Sequence, residues 1–91
     1  MPVTIHLPSQ LARHAGGSRS IVADGATVGE AVAHASANYP ELAPRLRDEH
    51  GKPYAFVTIY HNDEDIRLVG GFSRPVTDGD ELVVVPAVAG G

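Results

Sequence analysis

The chain has no cysteine and no tryptophan, and aromatic residues make up only 5% of it. Without thiols it can form no disulfide, no thiolate metal site and no cysteine nucleophile, so thiol-type chemistry would have to use sulfur acquired from elsewhere. Positive charge is also scarce. Seven Lys and Arg residues stand against eleven Asp and Glu, a net charge of -4 with no basic cluster, which argues against nucleic acid as a partner and favours proteins. No apolar run approaches the roughly 18 to 20 residues of a membrane span. A basic, apolar, small-residue signal is missing at the amino end, so a cytoplasmic location without a membrane partner is expected. Ninety-one residues allow one domain with a modest core.

What is present is concentrated at the end of the chain. Leu82, Val83, Val84 and Val85 place apolar, mostly β-branched residues on both parities, the pattern of a central strand covered on both faces. Pro86 has no N-H to donate and closes that strand. The remaining tail, Ala87, Val88, Ala89, Gly90 and Gly91, has no side chain larger than valine and little to bury. The expected division is therefore a folded domain over residues 1–86 and a flexible tail over 87–91. Extended, five residues span roughly 16 to 18 Å, enough to enter another protein's active site. Two glycines lack Cβ and let the backbone pass a narrow channel, and they leave the terminal carboxylate unhindered.

The order of elements follows from periodicity and punctuation. Val3, Ile5 and Leu7 alternate with Thr4 and His6 as a half-buried strand closed by Pro8, and Ser20 to Ala23 predicts its hairpin partner across a long loop, Ser9 to Arg19. Thr27 and Glu30 form a T-x-x-E capping box, and Val28, Ala31, Val32, Ala35 and Tyr39 recur at helical spacing until Pro40. A short helical turn is expected within Glu41 to His50, before Gly51 and Pro53. Tyr54 to Tyr60 and Ile66 to Val69 predict a second hairpin about an Asn62 to Asp65 turn, with Val57 and Ile59 inward. One helix across a mixed sheet of about five strands is an α+β, β-grasp or ubiquitin-like arrangement, with the first and last strands central.

The stretch Thr77-Asp78-Gly79-Asp80-Glu81, the apolar strand, Pro86 and the terminal Gly90-Gly91 resemble the ThiS/MoaD family of ubiquitin-like sulfur carriers. Phe56 to Arg67, together with the tail from Pro86 to Gly91, is most similar to the branch serving thiocarboxylate-dependent cysteine biosynthesis. The resemblance implies a carrier rather than an enzyme. A ubiquitin-activating-type partner would use ATP to adenylate the Gly91 carboxylate, and a sulfur donor would displace AMP to leave a thiocarboxylate. A PLP-dependent cysteine synthase would supply the acceptor, and a zinc-dependent protease would release the product. ATP, PLP and zinc thus belong to partners, and none is expected on this chain.

Two other classes fit the same tail: a modifier whose Gly91 forms isopeptide links to lysine, and an interaction domain indifferent to its last glycines. Phe56 and Tyr60 share a parity and are a candidate partner surface, with core packing the alternative. The five histidines lack the i, i+4 pair of a helical zinc site and are expected to be structural or surface groups. Asp63, Glu64 and Asp65 read as a solvated turn, since EF-hand spacing is missing.

Overall fold

The structure is a computed structural model that describes residues 2–86. Five strands form one sheet in the order β2-β1-β5-β3-β4: β1 (Pro2–His6), β2 (Ser20–Asp24), β3 (Val57–His61), β4 (Glu64–Asp65) and β5 (Glu81–Pro86). The pair β1 and β5 is parallel and the other pairs are antiparallel. Three helices accompany them: α1 (Ser9–Ala12), α2 (Val28–Asn38) and α3 (Ala43–Leu46). The first and last strands lie side by side at the sheet centre with α2 across one face, which is the β-grasp arrangement expected.

The core follows from parity. Val3, Ile5, Ile21, Ala23, Val57, Ile59, Leu82 and Val84 point to one face and pack against Val28, Ala31, Val32 and Ala35 of α2. Leu42, Leu46, Ile66 and Val76 close the ends. The helix begins as its residues predict, because Thr27 Oγ1 accepts the Glu30 N–H at 3.1 Å. Glu30 reaches back one residue further than the usual box, to the Ala26 N–H at 2.9 Å. Gly29 lies where Phe72 crosses the helix: an added Cβ would sit 2.9 Å from Phe72 Cβ.

Four expectations need correction. The final strand is central but is covered on one face only, since Val83 and Val85 remain 37% and 40% exposed. Its β-branched composition reflects pairing on both edges, not two covering layers. The Ser9 to Arg19 segment is not an open loop. It contains α1 and a 3-10 turn, Arg13–Ala15, that bury Leu11, Ala12 and Ala15, and the Leu7 N–H donates to Arg19 at 2.8 Å to close the hairpin.

Strand β3 starts at Val57 rather than Tyr54. Arg47 bridges to Pro53, and the Tyr54 N–H donates to the Leu46 carbonyl at 3.0 Å, so Tyr54 to Phe56 turn around the end of α3. Ile66 to Val69 is not a strand either. Asn62 and Asp63 both take positive φ, making the two-residue hairpin turn, and Glu64–Asp65 is the returning strand. Asp65 Oδ1 then accepts the Arg67 N–H at 3.0 Å and starts a 3-10 turn, Ile66–Leu68, that buries Ile66. The helical turn predicted within 41–50 is present as α3, preceded by the 3-10 turn Pro40–Leu42.

Candidate functional site

The tail singled out by its sequence, Ala87 to Gly91, lies outside the described residues, so the structure defines its root. Pro86 is the last residue of β5 and stands opposite Val57, the first of β3. Beside it the chain turns through Tyr54, Ala55 and Phe56, where the Val57 N–H donates to the Tyr54 carbonyl at 3.3 Å. Phe56 is 63% exposed and meets Tyr54 edge to face, with ring centroids 5.4 Å apart. A shallow cleft of about 480 Å³ adjoins Tyr54 and is lined by Ala43, Pro44, Arg47, Asp48 and Glu49.

Strand register assembles the rest of the root. Thr58 pairs with Val85 and Tyr60 with Val83, so these four side chains share the face that α2 does not cover. Tyr60 is half-buried there, and Phe56 immediately precedes Val57, the β3 residue that pairs with Pro86. Of the predicted pair, Tyr60 lies on that open face, while Phe56 is exposed at the turn before β3 with its ring against Tyr54. Sequence reading missed Arg67. Its guanidinium donates to Thr58 Oγ1 at 3.2 Å and to both oxygens of Asp65 at 3.2 and 2.9 Å. That contact holds Asp65 below the usual carboxylate range, with the Arg67 N–H adding to it. An Asp-x-Arg pair right after a hairpin turn was the available signal.

At the far end of β5 the polar groups serve the fold. Asp80 Oδ2 accepts from buried His61 Nε2 at 2.7 Å and from the Thr77 N–H at 2.8 Å. Arg74 Nε donates to His61 Nδ1 at 3.1 Å, which assigns the ring proton to Nε2, because an arginine N–H can only donate. The same arginine reaches Glu64 at 2.7 Å. The His61 bond, then that of Thr77, holds the Asp80 carboxyl far below its ordinary range.

His6 bridges Ser20 Oγ at 3.1 Å and Glu81 at 2.7 Å across three strands, a serine, histidine and carboxylate set that sequence does not bring together. It lies on the open sheet with the His6 and Glu81 side chains 37% and 62% exposed, so nothing shields it from water and it acts as a cross-strand tie. His14 binds Glu41 at 3.0 Å, and His34 Nδ1 accepts the Asp24 N–H at 2.6 Å. Among the described residues no group of three or more His, Cys, Asp or Glu could hold a metal, and no helix is long and apolar enough to cross a membrane.

Comparison with known proteins places these features in a family. A model described as "ThiS family" matches residues 5–91, through the terminal diglycine. The sulfur carrier protein CysO of Mycobacterium tuberculosis is 44% identical over 93 residues, covering all of both chains. A chain in the crystal structure of the Amycolatopsis orientalis BexX/CysO complex superposes with a TM-score of 0.90 at 43% identity, covering 98% of this chain and 99% of that one. Small archaeal modifier protein 3 of Haloferax volcanii is 38% identical over 79 residues, covering 82% of this chain and 84% of the relative.

Proposed function

The chain belongs to the ThiS family, and from that premise we propose that it is a sulfur carrier whose Gly91 carboxylate is adenylated and converted to a thiocarboxylate for cysteine biosynthesis. One observation carries the reading: the family match and the end-to-end likeness to the CysO carrier both run through the last residues, where this chain has Gly90-Gly91 after a proline-closed strand.

The chemistry suits what the residues offer. A carboxylate is a poor electrophile until ATP converts it to an acyl adenylate, and the adenylating enzyme has to enclose it to do so. Glycines without Cβ admit that approach. A sulfur donor then attacks the Gly91 carbonyl and AMP leaves, so the sulfur this cysteine-free chain carries is acquired. The folded part contributes recognition. Phe56, Tyr60, Val83 and Val85 offer apolar surface beside Pro86, and a partner seated on them would receive the tail directly.

The partners implied are a ubiquitin-activating-type enzyme with ATP, a PLP-dependent cysteine synthase and a zinc-dependent protease, all in the cytoplasm. The likeness to the Amycolatopsis carrier crystallised with BexX supports a carrier that works in complex.

Intact-mass measurement on protein from its own cell tests the proposal. The carrier should gain the mass of one oxygen replaced by sulfur, and the thiocarboxylate should yield cysteine with the PLP-dependent synthase. Delivery only to a thiamine or molybdopterin pathway would redirect the acceptor, and loss of Gly90-Gly91 without consequence in the cell would overturn the carrier reading. The likeness to the archaeal modifier favours a second reading, conjugation of Gly91 to lysines of other proteins. Trypsin would leave Leu68–Gly91 as the branch on such targets, since Arg74 precedes Pro75.

A further inference from the structure

The face of the sheet that α2 leaves open has an apolar centre. Strand register sets Val83 between His6 of β1 and Tyr60 of β3, with Val85 beside Thr58, and the two valines are 37% and 40% exposed. Parity gives this face the even-numbered residues of β1, β2 and β3 and the odd-numbered ones of β5, none of which is Lys or Arg. Its guanidinium comes from outside the strands, from Arg67 in the turn after β4. Nε and Nη2 of Arg67 donate to Asp65 at 3.2 and 2.9 Å and Nη2 also donates to Thr58 at 3.2 Å, whereas Nη1 meets no acceptor among the described residues. The side chain stays 53% exposed.

This clamp fixes the arginine before any partner arrives. Its rotamer freedom is already restricted in the free carrier, so a contact through Nη1 does not cost it again. Arginine keeps its proton at any working pH, and a surface that covers the valines strips water from Nη1 and must supply an acceptor for its two N–H groups. A carboxylate answers a charged donor best. Position and charge say which protein brings it. Thr58 follows Val57, the residue opposite Pro86, so the clamp stands at the end of the face where β5 stops. A protein that receives the chain beyond Pro86 covers this end. A second copy of the chain fits poorly, since it would set a net charge of -4 against -4.

We propose that Arg67 is a specificity-determining residue of the carrier: its Nη1 receives a carboxylate of the adenylating enzyme, while Asp65 and Thr58 act as positioning residues and Val83 and Val85 form the apolar seat beside it. The inference rests on the adenylation of Gly91 proposed above and adds the chemistry of the partner's contact. That contact is non-covalent and is made before any bond at the carboxylate changes, so it acts on binding of the carrier and not on transfer of the adenylyl group. An acidic carrier repels acidic surfaces in general, and one fixed guanidinium admits a carboxylate at one place, which sets the orientation of the docked pair. A protein without that carboxylate would bury Nη1 unpaired and is rejected.

The test follows ATP–pyrophosphate exchange by the adenylating enzyme of the same cell as the concentration of the full-length carrier is raised. Arg67→Gln leaves the partner carboxylate facing a neutral amide and should raise KM about tenfold with kcat unchanged. Arg67→Glu sets carboxylate against carboxylate, so its KM should exceed that of Arg67→Gln about threefold at low salt, and the gap should close as salt rises, which lost folding alone would not produce. Both variants are assayed well below their melting transitions. An unchanged KM in Arg67→Gln, an effect confined to kcat, or a KM for Arg67→Glu no higher than that of Arg67→Gln would overturn the inference, the last because the enzyme would then present a neutral acceptor or a cation. Those outcomes leave the carrier reading intact. That reading fails if the wild-type chain supports no exchange, and this inference would fall with it.

Discussion

Asp80 ties two segments with one carboxylate: His61 of β3, and its own turn ahead of β5 through both the N–H and the hydroxyl of Thr77. Those donors stabilise the charged form, so its folded pKa lies below its unfolded one, near 3.9 for a free Asp. Below that value the unfolded chain takes up a proton that the folded chain refuses. The contribution of Asp80 is therefore complete above about pH 5 and is lost as the pH falls through 4 toward 2. Asp80→Asn should cost roughly 1 to 3 kcal/mol at pH 7 and flatten this part of the acid limb. Urea unfolding from pH 2 to 7 checks it. Some slope should persist in the variant, since Asp65 is also held low by Arg67; parallel curves for the two proteins would refute the assignment to Asp80. Phe56 poses the opposite case. It is exposed and its one ring contact is Tyr54, so Phe56→Ala should cost no more than about 1 kcal/mol of stability. As part of the partner surface it should raise the KM of the adenylating enzyme for the carrier about fivefold or more, with kcat unchanged. Steady-state pyrophosphate release measures both constants, and an unchanged KM removes Phe56 from that surface.

Among the elements, α2 shows what a local signal is worth. Its start needs only Thr27 and Glu30, and its buried stripe needs only 3.6-residue spacing, so both were legible in the sequence. Thr27→Ala should cost about 1 kcal/mol and lower Tm by about 4 to 8 °C, because the Glu30 N–H loses its acceptor. Thr27→Ser should recover most of that loss in a thermal melt. The strands were legible to the extent that parity decides them: Val57 and Ile59 inward, β1 and β5 central. What escaped depended on tertiary contacts. The Tyr54 to Phe56 stretch has strand composition, but α3 takes its Tyr54 N–H. Ile66 to Leu68 is apolar enough for a strand, but the Asp65 cap turns it. Val83 and Val85 look buried because β-branched residues fill strands, and no periodicity tells how many layers cover a sheet. The site divides in the same way. The diglycine chemistry is written in consecutive residues, while the face joining Tyr60, Thr58, Arg67, Val83 and Val85 exists only once β3, β4 and β5 are in register.

At the scale of the molecule, the acidic ties of the fold and the root of the tail lie at opposite ends of β5. Asp63, Glu64, Asp78, Asp80 and Glu81 gather where the β3–β4 turn meets the start of β5, tied by the Asn62 N–H to the Glu81 carbonyl at 3.2 Å. Pro86 lies roughly 17 Å further along the strand, about two Debye lengths at physiological salt, so this acidic cluster scarcely opposes a carboxylate entering an ATP site beyond Pro86. Every described core residue lies between Val3 and Val84, and β5 is held by β1 as far as Val83 and by β3 as far as Pro86. Removal of residues 87–91 should therefore leave Tm within about 2 °C, a shift of well under 1 kcal/mol for a domain of this size. The same deletion should abolish ATP–pyrophosphate exchange with the adenylating enzyme, since the reacting carboxylate is gone. The two readouts have to separate. A truncated chain that melts much lower would mean that the tail is part of the fold, and one that still supports exchange would mean that the activated carboxylate is not that of Gly91.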